Sequence, residues 1–168
     1  MVVRLIKENE IDTVMNIIDE AKVYFKEQGS SQWQNGYPNH EAIYNDYIKK
    51  QGYVLEDNNQ IIGYAALVLE EDPNYKVIDG KWLYDGDYGV IHRVCLRNIN
   101  KGKGYAHMFF MKLEELCREH QLKSMRIDTH ALNKSMLRTI EKEQFKYCGI
   151  VIVGDGTERY AFEKMISE

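Results

Sequence analysis

Tyr88-Gly-Val-Ile-His-Arg-Val-Cys-Leu-Arg97, followed by Asn98-Ile-Asn-Lys-Gly-Lys-Gly-Tyr-Ala-His107, is the stretch on which the reading of the whole chain rests. Val90 to Leu96 is rich in β-branched and apolar residues, which predicts a strand. Lys101, Gly102, Lys103 and Gly104 make a basic glycine turn. From Ala106 the apolar residues fall at helical spacing, through Phe109, Phe110, Leu113, Leu116 and Cys117, which predicts a helix to about His120. Glycine lets the backbone turn sharply and approach a ligand closely. The first amides of a helix have no internal acceptor and stand at the positive end of its dipole. The main chain from Gly102 through Tyr105 to Ala106 therefore reads as a cradle for a phosphate or diphosphate, with Lys101 and Lys103 beside it. A P-loop requires Ser or Thr after its Gly-Lys, and none follows here. The dinucleotide fingerprint needs a third small residue where His107 stands.

The rest of the composition narrows the partner. The 168 residues suggest a single domain, 1–168, and the 44% apolar content suits a packed core. A net charge of −4 argues against a nucleic-acid surface, and the local basic cluster Arg93, Arg97, Lys101 and Lys103 suits a small anion. Cys95, Cys117 and Cys148 form no close pair, so neither a disulfide framework nor a metal site is expected. No signal-peptide core and no run of transmembrane length is visible, so a cytoplasmic protein without membrane association is expected.

Taken in order, Val2 to Ile6 reads as a strand and Ile11 to Phe25 as a helix with Val14, Ile17, Ile18 and Ala21 on one face. Asn9 or Asp12 is placed to cap it. A polar loop carrying Trp33 and Tyr37 leads to a second helix, roughly 39–50, with Ile43, Tyr47 and Ile48 inward. Tyr53 to Glu56 and Ile61 to Leu69 form a hairpin around Asp57-Asn58-Asn59-Gln60. A long connection, 70–87, has room for an extra strand at Trp82-Leu83-Tyr84. After the central strand and helix, Met125 to Thr129 is a strand parallel to the first, because a helix separates the two. A helix carrying Met136, Leu137 and Ile140, capped by Asn133 or Thr129, precedes a closing hairpin, 147–153 with 159–165.

This pattern resembles a known family. Lys101, Gly104 and Ala106, just after Val94-Cys95-Leu96-Arg97, match motif A of the GNAT acyl-CoA N-acyltransferase superfamily: a basic residue or Gln, two of any kind, Gly, any, then Gly or Ala. The element order β-α-α-β-β-β-α-β-α-β-β is also that of a GNAT domain. Asn133 opening a helix and Phe145 at its end resemble the family's later signature. Two positions depart from it: Ile140 stands where the family often has Tyr, the usual acid for the leaving thiolate, and Gln144 where it often has Gly.

The resemblance implies an α/β (α+β-like) fold: a mixed, mostly antiparallel sheet flanked by helices, with a parallel splay between the family's β4 and β5, here 90–97 and 125–129. It implies N-acetyl transfer from acetyl-CoA, as cosubstrate and without metal, to a primary amine of a small molecule or peptide, by direct attack in a ternary complex. A non-catalytic acyl-CoA-binding or sensory domain is the alternative, and a homodimer is a further implication. Backbone groups of Val94, Cys95 and Leu96 would meet the pantetheine arm, with the N–H of Val94 or Leu96 polarising the thioester oxygen. Residues 101–106 would hold the diphosphate, and Asn133 either the pantetheine amides or only its helix. Alternation puts His92 on the face of Val94 and Leu96, with Arg93 and Cys95 opposite. Imidazole, with a usual pKa of about 6.5, suits a base near neutrality, and His92 reads equally as a buried structural histidine. Tyr147 is a replacement acid or a packing residue. Trp33 and Tyr37 wall the acceptor site or pack their loop, and His130 contacts substrate or serves its loop. The run Glu70-Glu71-Asp72 attracts a cationic acceptor or is a solvated charge run.

Overall fold

A computed structural model of the chain describes residues 1–167. Its strands are β1 (Val2–Leu5), β2 (Gly52–Asp57), β3 (Gln60–Val68), β4 (Asp79–Gly80), β5 (Tyr88–Leu96), β6 (Ser124–Thr129), β7 (Lys146–Ile152) and β8 (Glu158–Met165). Its helices are α1 (Ile11–Glu27), α2 (His40–Ile48), α3 (Tyr105–Glu119) and α4 (Lys134–Lys142). The strands pair in the order β1-β2-β3-β5-β6-β8-β7-β4. The sheet is mixed and mostly antiparallel, and β5 with β6 is a parallel pair, as the sequence implied. Backbone contacts divide the chain into two compact units: Met1–Leu67 with Arg93–Phe109, and Val68–His92 with the chain from Phe110 on.

In the first unit, α1 buries Val14, Ile17, Ile18 and Phe25 against Ile43 of α2, Val54 of β2 and Tyr64 of β3. The 3.6-residue period of these side chains is the cause of the helix's fixed face. Neither Asn9 nor Asp12 caps α1. A 3-10 turn, Glu8–Glu10, leads into it, and the Glu10 carboxylate accepts the Lys7 amide at 2.8 Å. Asn39 caps α2 through the Ala42 amide. Ile48, expected inward, is exposed, because α2 ends there and Lys50 turns the chain at φ 54°. The β2–β3 turn is two residues, Asn58 (φ 50°) and Asn59 (φ 62°), the left-handed pair that matches the twist of a tight hairpin.

In the second unit, Tyr88 and Val90 of β5 pack with Tyr75, Val151 and Ala161. The extra strand lies at Asp79–Gly80, not at Trp82–Tyr84, and pairs with Gly149 and Ile150 of β7. Two glycines decide this place. A Cβ on Gly80 would stand 2.1 Å from the Cys148 carbonyl oxygen, and one on Gly149 would stand 2.1 Å from that of Asp79. Gly149 also holds φ 148°. We expect Gly149→Ala to release β4 and cost about 1–3 kcal/mol or more, read as a lower midpoint in urea unfolding. An unchanged midpoint would show that β4 contributes nothing to the fold.

Candidate active site

The predicted glycine turn forms between β5 and α3. A 3-10 turn, Asn98–Asn100, leads through Lys101 to Gly102 (φ 74°) and Gly104 (φ 83°), and α3 begins at Tyr105. A Cβ on either glycine would meet nothing within 4 Å. These glycines are therefore set by backbone conformation, and the space before the loop is open. The first-turn amides of α3 have no intrahelical acceptor, so the loop can take an anion. The cations divide. Lys101 does not face the loop: its ammonium lies 4.1 Å above the Tyr24 ring of α1, and burial lowers its pKa. Lys103 and Arg97 share the wall of a polar hollow of ≈ 650 Å³. Arg97 Nε also donates to the Ile61 carbonyl at 2.9 Å. The Tyr105 hydroxyl donates to Asp57 at 2.8 Å, holding the start of α3 to the β2–β3 turn.

Strand β5 does not alternate strictly. Tyr88 and Val90 lie in the Tyr75 cluster, and the His92 ring stands 6.4 Å from the Tyr75 ring, so these residues share one face. Arg93 then takes φ 54°, a left-handed conformation inside a strand, as in a bulge. Beyond it, Cys95 is buried beside Tyr64. Along β3, the neighbours Gly63 and Tyr64 face opposite ways, Tyr64 into the α1 cluster. A Cβ on Gly63 would stand 2.7 Å from Leu96 Cδ2. Within the first unit, Leu96 therefore lies by Gly63 and Cys95 beside Tyr64, on opposite faces of the strand. The left-handed residue at 93 interrupts the strict alternation that the sequence predicts along this strand.

Arg93 is held there by a buried carboxylate. Its Nε and Nη2 donate to Asp46 Oδ2 and Oδ1 at 2.8 and 2.6 Å, and its Nη1 to the Tyr37 hydroxyl at 2.6 Å. Asp46 also accepts from Tyr64 Oη and Gln51 Nε2, and burial beside its charge raises the Tyr64 pKa far above the phenol range. Tyr37 remains 45% exposed, whereas Trp33 packs edge-on against Phe25, 5.2 Å between centroids. Of the two expected wall residues, Trp33 secures its loop and Tyr37 presents a ring to solvent.

In the second unit, His92 Nε2 lies 2.8 Å from Asp72 Oδ2. Asp72 is no solvated charge: it is 9% exposed, accepts the Asn74 amide, and its own amide donates to Tyr88 Oη. A carboxylate at Nε2 selects the tautomer with the proton there and leaves Nδ1 as the basic nitrogen. Nδ1 makes no hydrogen bond among the described residues. Tyr75 Oη donates to Asp128 Oδ2 at 2.5 Å, and Trp82 Nε1 donates to the Tyr75 carbonyl at 3.0 Å. Arg126 lies over the rings of Tyr88 and Trp82, at 3.7 and 4.1 Å, and donates to the fully buried Glu163 at 2.9 Å.

The remaining expected site residues are occupied locally. Asn133 is buried, caps α4 through the Met136 amide and donates to Thr129 Oγ1, both at 3.2 Å. His130 Nδ1 accepts the Leu132 amide at 3.0 Å, and burial lowers its pKa. Tyr147 is 56% exposed and meets Tyr160 and Phe162 edge-on. It pairs with Phe162, which pairs with Ile127, so it lies on the face opposite that of Asp128.

The sequence matches the family model described as Acetyltransferase (GNAT) family over residues 14–145. The chain belongs to the GNAT acetyltransferase family. No curated protein matches the sequence. Among solved structures, a GNAT-family acetyltransferase from Streptococcus agalactiae 2603 is 34% identical with a TM-score of 0.91, covering 99% of this chain and 96% of its own. An acetyltransferase candidate from Staphylococcus aureus Mu50 is 27% identical, with a TM-score of 0.75 and coverage of 99% and 100%. PaiA N-acetyltransferase from Thermoplasma acidophilum, solved in complex with coenzyme A, shares the fold at 14% identity, with a TM-score of 0.74 and coverage of 98% of each chain.

As a GNAT member the chain keeps the backbone of its departures from the family pattern better than their side chains. Gln144 holds φ 67°, the conformation for which glycine is favoured. Ile140, in the place of the frequent Tyr, is fully buried. The sequence pattern singles out none of Asp46, Tyr75 and Asp128, and it marks Asp72 only within the acidic run 70–72. Faint signals exist for three of them. Asp46 falls three residues after Ile43 on the apolar face of α2, Asp72 precedes Pro73, and Asp128 follows Arg126 by two, alternating with the apolar Met125 and Ile127.

Proposed function

We propose that this chain, as a single domain over 1–168 acting in the cytoplasm, transfers acetyl from acetyl-CoA to a primary amine of a small molecule or peptide by direct attack in a ternary complex. The observation that carries the reading is His92, fixed by Asp72 at Nε2 and open at Nδ1, on the strand that runs into an anion-binding glycine loop. The diphosphate of coenzyme A meets the amides of 102–106, with Lys103 as the cation nearest to hand. The pantetheine arm follows the backbone of 94–96. Among the described residues the ladder between β5 and β6 pairs Tyr88, Gly89 and Val90 with Ser124, Met125 and Arg126, and β5 continues to Leu96. Backbone groups left without a ladder partner need another, and the pantetheine amides and the thioester oxygen supply it.

His92 Nδ1 takes the proton of the acceptor ammonium, the free amine attacks the thioester carbonyl, and the C–S bond breaks. An alkyl thiol has a pKa of about 8.5, so near neutral pH the thiolate leaves with little need of a committed acid. No proton is routed through Tyr147. Burial pushes the Cys95 thiol up to about 12, so a reactive thiolate is scarce and direct attack is favoured over an acyl-cysteine.

The test is thiol release from acetyl-CoA over a panel of primary amines, with calorimetry of coenzyme A. Acetyl-CoA-dependent turnover of at least one amine supports the reading; no heat of coenzyme A association at millimolar ligand overturns it. We expect Gly104→Val to weaken coenzyme A binding by about tenfold or more with the fold intact, since a β-branched residue at φ 83° costs at least about 1–2 kcal/mol. Ile140 in the place of the usual Tyr favours a second reading, a non-catalytic acyl-CoA sensor. Coenzyme A binding without turnover of any amine selects it.

A further inference from the structure

We infer that Asp128 docks the ammonium group of the acceptor beside His92, so that the acceptor class is an alkyl amine that binds in its cationic form. This rests on the proposed acetyltransferase reading and adds to it the charge of the substrate. The geometry is a matter of register. The parallel ladder pairs Val90 with Arg126, and two residues further on each strand stand His92 and Asp128. Neighbouring residues of adjacent strands share a face, so the imidazole and the carboxylate lie on one face just past the last paired residues. Tyr75 joins them: its ring neighbours that of His92, and its hydroxyl holds Asp128 Oδ2.

Each residue keeps one atom in reserve. Asp128 Oδ1 and His92 Nδ1 make no hydrogen bond among the described residues, and no fully buried side-chain nitrogen or oxygen there lacks a partner. Both atoms are therefore reachable by an incoming group. Burial raises the pKa of Asp128, with the His92 charge and the Tyr75 hydrogen bond acting the other way. A carboxylate in that position gains most from a cation that brings its own hydrogen-bond donors. An alkylammonium can give one N–H to Oδ1 and another to Nδ1. The second proton moves to imidazole and frees the nitrogen lone pair. Attack and loss of thiolate then give the amide and coenzyme A, with one net proton released to water. The oxygens of Asp72 serve His92 and the Asn74 amide, so the docking role falls to Asp128.

The experiment compares n-butylamine, cationic at neutral pH, with aniline, uncharged there, as acceptors for the full chain with acetyl-CoA. It adds saturation-transfer NMR of n-butylammonium on the coenzyme A-loaded protein. We expect Asp128→Asn to reduce the ratio of kcat/KM for n-butylamine to that for aniline by at least tenfold, mainly through KM, and to abolish the NMR signal. Asp128→Glu, which keeps the charge, should restore part of both. An equal loss of kcat for both amines with a displaced pH–rate profile would place Asp128 in proton transfer and overturn the inference, as would n-butylammonium binding that survives in Asp128→Asn. If no amine is turned over but n-butylammonium still binds and the variant loses it, the acetyltransferase reading fails and the cation site stands.

Discussion

His92→Gln is expected to lower kcat by about 10²–10⁴, the range for loss of a positioned general base, while leaving coenzyme A affinity within about twofold. A positioned base gives the wild-type profile of log kcat/KM a limb that rises with pH. In the variant that rising limb disappears, because Gln does not titrate. Asp72→Asn gives an intermediate loss by a different route. An amide that donates at Nε2 would move the imidazole proton to Nδ1 and remove the acceptor lone pair from the substrate side. An unchanged pH profile in His92→Gln would take His92 out of the chemistry and leave it as a histidine that ties β5 to Asp72.

The largest expected loss of stability comes from Glu163→Ala. Glu163 is fully buried and accepts four hydrogen bonds: from Ser124 Oγ at 2.6 Å, Arg126 Nε at 2.9 Å, and the amides of Leu83 and Tyr84 at 2.7 and 3.1 Å. Truncation leaves the Arg126 guanidinium uncompensated between two aromatic rings and strips both amides of their acceptor. Breaking a buried pair in this way costs about 3–5 kcal/mol. In a protein of this length that corresponds to a fall in Tm of roughly 6–20 °C. Amide exchange at Leu83 and Tyr84 should rise ahead of the rest of the chain, since their acceptor is lost directly. Adding Arg126→Met should recover much of the loss, because an apolar side chain of similar length does not need the carboxylate. A loss below about 1 kcal/mol for Glu163→Ala would mean that water replaces the carboxylate and that the pair does not hold the 82–84 segment.

How much of this was legible beforehand differs between fold and site. The α1 face, the hairpins, the parallel pair and the glycine turn follow from periodicity, element order and turn chemistry, and they stand where the sequence put them, whereas Ile48 of α2 does not. The extra strand was displaced because its position depends on Gly80 and Gly149 passing each other closely, residues 69 apart in the chain. The Glu70-Glu71-Asp72 run read as surface charge because nothing local distinguishes a solvated aspartate from one that accepts an imidazole 20 residues away.

By itself the sequence determined the order of elements, the apolar face of α1, and the glycine turn at 102–104, because each depends on residues within one or two turns of one another. Only the tertiary structure decided which way β5 points its side chains, where Lys101 goes, and which carboxylate stands next to His92. A single left-handed residue at Arg93 interrupts the alternation, and its side chain is held by Asp46, 47 residues earlier. The cation of Lys101 settled on the Tyr24 ring, and Asp128 reached the level of His92 through strand register. Ion pairs, ring contacts and register join residues far apart in sequence, so local pattern carries no record of them.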